Sequence, residues 1–130
     1  MAADQPLTGV LDTSVVIHHA DLPSDIEGRF AISVMTIAEL HKGAVMARSV
    51  RIRAQRIARL AMAEQLFEAL PVDRRVAVKF GEVAAATRRL ERRPHVVDGL
   101  IAATAMVHDV PVYTFDADFH LISGLRVVKL

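Results

Sequence analysis

Cysteine is absent from this chain, which removes disulfides, a thiolate nucleophile and zinc–sulfur ligation at one stroke. Aromatic residues are scarce: five phenylalanines, one tyrosine and no tryptophan. The core must therefore be built from Ala, Val, Leu and Ile, and the scarcity of rings argues for recognition of nucleic-acid shape or backbone rather than a stacking platform. No apolar run approaches the length of a membrane span. The first residues, Met1-Ala2-Ala3-Asp4-Gln5-Pro6, carry neither the basic flank nor the apolar stretch of a secretory signal, so a cytoplasmic protein is expected. There is no glycine-rich phosphate loop, no serine–histidine–acid order, no internal repeat and no low-complexity tract. With 130 residues, 52% of them hydrophobic, the chain reads as one domain over 1–130 with a core that needs no covalent staples.

What the sequence does have is charge in particular places. The net charge is +1, but residues 48–93 hold twelve basic and five acidic residues, a balance of +7, while the remainder holds four basic and ten acidic, a balance of −6. A basic middle beside acidic segments fits a polyanion guided toward a cation centre. Arg51, Arg53, Arg56 and Arg59 in one segment, with Arg88, Arg89, Arg92 and Arg93 in another, are candidates for phosphate contacts. The same arginines also fit the solvent faces of amphipathic helices or an acidic partner.

The hydrophobic pattern alternates short strands with helices. Strands are expected at Leu7–Leu11, Phe30–Ser33, Pro71-Val72, Val110–Thr114 and Leu125–Leu130. Helices are expected at Ser14–Ala20, from Thr36, over Arg51–Leu70, from a cap at Asp73 to about Arg93 before Pro94, and from Asp98 to His108. A short helical turn is expected at Asp116–Ile122. This order predicts an α/β fold, a central parallel sheet of about five short strands covered by helices on both faces. Ligands gather at the carboxyl ends of such strands. Asp12, Glu39, Asp98 and Asp116 all fall there or in the first helical turns beyond, mostly beside apolar residues. A carboxylate in apolar company is costly unless it is paired or holds a cation. Oxygen donors without sulfur suit Mg²⁺ or Mn²⁺, and such an ion supports hydrolysis of a phosphodiester. Taken singly, Asp12 and Asp98 also read as helix caps and Glu39 as a solvent-facing helix residue. The adjacent pair His18-His19 points two ways on a helix and makes a poor metal clamp; His41, His95, His108 and His120 are scattered singly and read as surface residues.

The four stretches Leu11-Asp12-Thr13-Ser14-Val15, Ser33-Val34-Met35-Thr36-Ile37-Ala38-Glu39-Leu40, Asp98-Gly99-Leu100-Ile101-Ala102-Ala103 and Thr114-Phe115-Asp116-Ala117-Asp118-Phe119 together resemble the signature of PIN-domain ribonucleases. The similarity is greatest to the VapC-type toxins of toxin–antitoxin pairs. It runs in order from about Leu7 onward. The resemblance implies a Mg²⁺-dependent endoribonuclease with Asp12 and Asp98 as primary metal ligands, Asp116 completing the metal shell, and Glu39 acting through bound water or on the nucleophile. Thr13, Ser14 and Thr114 are placed to hydrogen-bond the carboxylates. Many relatives carry asparagine early in the last stretch, where this chain has Asp116 and Asp118, so either of the two can complete the set; Asp116, directly after its strand, is the expected one. The resemblance also implies an RNA substrate, a VapB-type antitoxin covering the site, and a homodimer. Two other phosphoryl-transfer classes fit less well. A haloacid-dehalogenase-like phosphatase needs a second aspartate where Ser14 stands, and a phospho-acceptor receiver domain needs an acidic pair where Asp12 stands alone. Non-toxin RNA processing, or an RNA- or partner-binding module on the same fold, remains the alternative, though a binding surface gains nothing from carboxylates facing phosphates.

Overall fold

The computed structural model describes residues 5–18 and 26–130. Five strands, β1 (Leu7–Leu11), β2 (Arg29–Ser33), β3 (Glu68–Leu70), β4 (Val112–Thr114) and β5 (Val127–Lys129), form one sheet in the order β3-β2-β1-β4-β5, every pair parallel. The helices are α1 (Thr13–Ile17), α2 (Val34–Val45), α3 (Val50–Leu66), α4 (Arg74–Arg89) and α5 (Val96–Val107), with a 3₁₀ segment at Ala117–Leu121.

Alternation along the strands divides the core in two. Val10, Ala31 and Val112 point to the face covered by α4 and α5, where they meet Val83, Ile101, Ala102 and Ala105. Their neighbours Leu11, Ile32 and Tyr113 point to the opposite face, against Val15, Val16, Leu40 and Ala63 of α1, α2 and α3. A period of two with apolar residues on both sides is what a parallel sheet buried on both faces requires. Gly9 shows how tightly the strands are filled: a Cβ there would lie 2.5 Å from the Tyr113 ring. That ring packs edge-on against Phe30 at 4.9 Å between centroids.

The expected architecture stands, with several boundaries moved. The third strand is Glu68–Leu70, paired to β2, and not Pro71-Val72; Pro71 has no N–H to give a ladder. The helix expected over Arg51–Leu70 accordingly stops at Leu66, and α2 is a separate helix, because Ser49 accepts from the Ile52 N–H and starts α3 afresh. Helix α4 ends at Arg89 rather than Arg93, since Glu91 takes a left-handed turn at φ 60°. The last two strands are shorter than expected, and the part of the first helix at His19-Ala20 lies outside the described residues. Among the described residues no helix is long and apolar enough to cross a membrane.

The chain moves outward from β1 through β2 to β3 on one side and returns to β4 and β5 on the other. The switch point is therefore the seam between β1 and β4, and the crevice beyond its carboxyl end is where a ligand belongs.

Candidate metal centre and active site

Asp12 follows β1 directly at that seam and is buried, only 4% exposed. It does serve as the cap of α1, as its residue type allows: Oδ1 accepts from the Val15 N–H at 3.3 Å. Its stronger partners are two hydroxyls. Ser14 Oγ donates to Oδ1 at 2.7 Å, and Thr114 Oγ1 donates to Oδ2 at 3.0 Å. Each hydroxyl in turn accepts a backbone N–H from the segment after β4, Phe115 to Ser14 at 3.2 Å and Asp116 to Thr114 at 2.8 Å. Each hydroxyl thus accepts an amide proton while giving its own to Asp12, which ties the carboxylate to the segment after β4. Burial nevertheless wins and pushes the Asp12 carboxyl above the usual range; the hydroxyl and amide bonds oppose that rise, and the Asp116 charge adds to it.

Asp98 lies in the first turn of α5, two residues beyond its start, and so is not the cap; His95 holds that position without a side-chain bond. The Asp98 carboxyl is pushed up to about 6, first by desolvation, then by the charges of Glu39, Asp116 and Asp12 in that order, with His95 opposing. The other three expected carboxylates thus all lie within electrostatic reach of Asp98. Glu39 is half-buried on α2 rather than facing solvent, and it accepts a hydrogen bond from Thr13 Oγ1. Thr13 also meets Thr36 Oγ1 at 3.2 Å. Asp116 caps the 3₁₀ segment through the Asp118 N–H at 2.8 Å and is among the charges acting on Asp12 and Asp98, while the Asp118 side chain is exposed.

Two contributors went unread in the sequence. Thr36 is fully buried one helical turn before Glu39, and the signal for it is a polar residue three positions ahead of an acid on the same helix face. His95, one of the scattered histidines, stands beside Asp98; proximity of that kind leaves no periodic trace. The arginines divide. Arg53 and Arg56 are partly engaged at home, donating to the Gly43 and Val45 carbonyls at the end of α2 and to the Ala47 carbonyl just beyond it, a favourable place for cations. Arg56 still lines a groove with Lys42 that runs past Glu39.

Among the described residues no three His, Cys, Asp or Glu side chains stand ready-made around one point. The donors nevertheless suit a hard cation: all are carboxylate oxygens, and neighbouring negative charge raises the proton affinity of Asp12 and Asp98 in a way that a cation relieves. Mg²⁺ keeps several waters and takes one or two carboxylates directly, so a closed cage is not required.

The PIN domain family model matches residues 9–125. Ribonuclease VapC5 of Mycobacterium tuberculosis is 37% identical over 129 residues, covering 96% of this chain and 95% of that protein. Ribonuclease VapC4 of the same organism is 30% identical over 92% of this chain and 94% of its own length. Among solved structures, a VapBC-5 toxin–antitoxin complex from M. tuberculosis superposes with a TM-score of 0.85 at 36% identity, covering 96% of this chain and 99% of that one.

Proposed function

The chain belongs to the PIN-domain family, and from that premise we infer that it is a Mg²⁺-dependent endoribonuclease, a single domain acting as the toxin of a VapBC-type pair. The observation that carries this reading is the buried Asp12, held by two hydroxyls at the switch point of the sheet and within electrostatic reach of Asp98 and Asp116, with Glu39 acting in turn on Asp98. So much negative charge at a seam built for a ligand opposes RNA unless a cation stands between them. Asp12, Asp98 and Asp116 would hold the ion, with Mn²⁺ as a substitute. When bound, it supplies a Lewis acid for the phosphoryl group and the attacking water. Ser14 and Thr114 keep Asp12 aimed, and Thr13 holds Glu39 where it can orient the water. Lys42 and Arg56 draw the RNA backbone along the groove beside Glu39.

VapC5 is named a ribonuclease, and VapBC-5 belongs to a family of toxin–antitoxin systems. By extension we assign this chain a VapB-type antitoxin, a homodimeric assembly and a cytoplasmic setting. The exposed apolar residues Val45, Met46, Val50 and Ile57 around the α2–α3 corner are the surface such partners would cover. Incubation of the purified protein with bulk RNA tests the activity. Cleavage is expected with Mg²⁺, and neither with EDTA nor in Asp12→Asn and Asp98→Asn; cleavage that persists in either variant or in EDTA overturns the mechanism.

A further inference from the structure

Between α4 and α5, on the far side of the Asp98 turn, lies a cavity of about 340 Å³. Its floor is apolar, made by Phe80, Val83, Pro94 and Ile122. Its rim is basic, made by Arg88, Arg92, Arg93 and His95. Among the described residues the three arginines make no ion pair and no side-chain hydrogen bond. Arg53 and Arg56, by contrast, are engaged with backbone carbonyls. Phe80 can lie against α5 only because residue 99 is glycine: a Cβ there would stand 2.9 Å from its ring. Thr87 adds a polar group to the wall, already accepting the Ser123 N–H at 3.0 Å and keeping its proton to donate. His95 belongs to both places, since it lines the cavity and acts electrostatically on Asp98.

We propose that this cavity is a nucleotide subsite: it takes one unstacked base of the RNA, with the adjoining phosphate on Arg88, Arg92 and Arg93, and so selects which phosphodiester reaches Asp98. An apolar slot of this volume beside one ring matches a base, and three uncommitted guanidinium groups match its phosphate. Either half alone binds weakly; the juxtaposition selects a molecule that is planar and apolar at one end and anionic at the other. The strand continues past His95 toward Asp98, three residues further along the chain. This inference rests on the ribonuclease reading for the nature of the polymer, while the subsite itself is independent of catalysis.

The test is a metal-free titration in EDTA with the four nucleoside 5′-monophosphates, followed by backbone amide shifts of the ¹⁵N-labelled full chain. Inorganic phosphate and free nucleosides are the control ligands. At least one mononucleotide is expected to shift the amides of Ala84, Thr87 and Gly99 at concentrations at least tenfold below phosphate or nucleoside. Ala84→Leu, which fills the slot from an exposed helix position, and the double variant Arg92→Gln/Arg93→Gln should each weaken that binding tenfold or more. Folding of each variant is checked by its unperturbed amide spectrum away from the cavity. Shifts confined to the acidic site, or phosphate alone acting as strongly as a nucleotide, overturn the proposal, as does unchanged binding in folded Ala84→Leu. If mononucleotides bind as expected but wild-type protein with Mg²⁺ leaves RNA intact, the ribonuclease reading falls and the subsite stands. If RNA is cut and Ala84→Leu keeps both its rate and its cleavage pattern, the subsite falls alone.

Discussion

Replacing Asp98 by asparagine should make the metal-free protein more stable at neutral pH while destroying its activity. The reasoning begins with the carboxyl being raised from 3.8 to about 6 by burial and three neighbouring carboxylates. A folded-state value above the unfolded one means that the native state binds the proton more tightly. The native state is then relatively most favoured below about pH 4, loses that advantage as pH rises toward 6, and carries the whole penalty above it. Two units correspond to roughly 3 kcal/mol at about 1.4 kcal/mol per unit. Asp98 is only half buried, so solvent screening reduces this to about 1–1.5 kcal/mol. The first-turn position returns a few tenths to the charged form through the α5 dipole, about 0.5 kcal/mol. The net gain for Asp98→Asn is about 1 kcal/mol, a rise in Tm of roughly 3–5 °C for a domain of this size. The assay is thermal unfolding in EDTA at pH 7.5 and pH 4.5, at low and high salt. The stabilisation should appear at pH 7.5, fade at pH 4.5 and shrink in salt. A variant equally destabilised at both pH values would show that the Asp98 carboxylate is held by favourable contacts, and the picture of mutually repelling acids would be wrong.

Further outcomes follow from the same geometry. Thr114→Val removes the proton given to Asp12 Oδ2 and leaves the Asp116 N–H unpaired; divalent-ion affinity by calorimetry should fall about 10–100-fold, with Ser14→Ala acting similarly through Oδ1. Asp116→Asn should lower the Asp98 carboxyl titration, followed by side-chain NMR without metal, whereas Asp118→Asn should leave it in place; the reverse order would reassign the last acid of the set. Gly9→Ala forces a methyl into the Tyr113 ring and should cost about 1–3 kcal/mol in urea unfolding. Arg53→Ala should cost about 1 kcal/mol of stability by freeing the Val45 and Ala47 carbonyls, with no change in the salt dependence of RNA affinity if its role is structural.

The parallel sheet was legible because each strand is a short apolar run and each crossover a periodic helix, and because the acids recur where strands end. Position relative to a sheet edge is a local property, so Asp12 and Asp116 could be placed from their neighbours alone. The arrangement of Thr13, Thr36 and Glu39 was only half legible. All three residues sit in recognisable stretches, but their meeting depends on how α2 crosses the end of β1, a matter of packing. The third strand was misplaced by a few residues, since Glu68-Ala69-Leu70 has no apolar alternation of its own and is a strand only because β2 offers it a partner. Asp98 read as a cap for a related reason: an acid at a helix start looks the same one turn earlier or later, and only the His95 backbone shows which residue begins the helix.

The relays that fix Asp12 bear on when a chain of this kind first becomes dangerous to the cell that makes it. Both amide donors, on Phe115 and Asp116, and the hydroxyl of Thr114 lie about a hundred residues downstream of the carboxylate they orient. Synthesis proceeds from the N-terminus, so β1, β2 and α2 exist well before those partners leave the ribosome. Throughout that interval Asp12 lacks strand β4 beside it and one of its three donors, the Thr114 hydroxyl, while Ser14 lacks the Phe115 amide. A ribonuclease wired in this way is born unarmed, and its cutting centre closes only once β4 slides in beside β1.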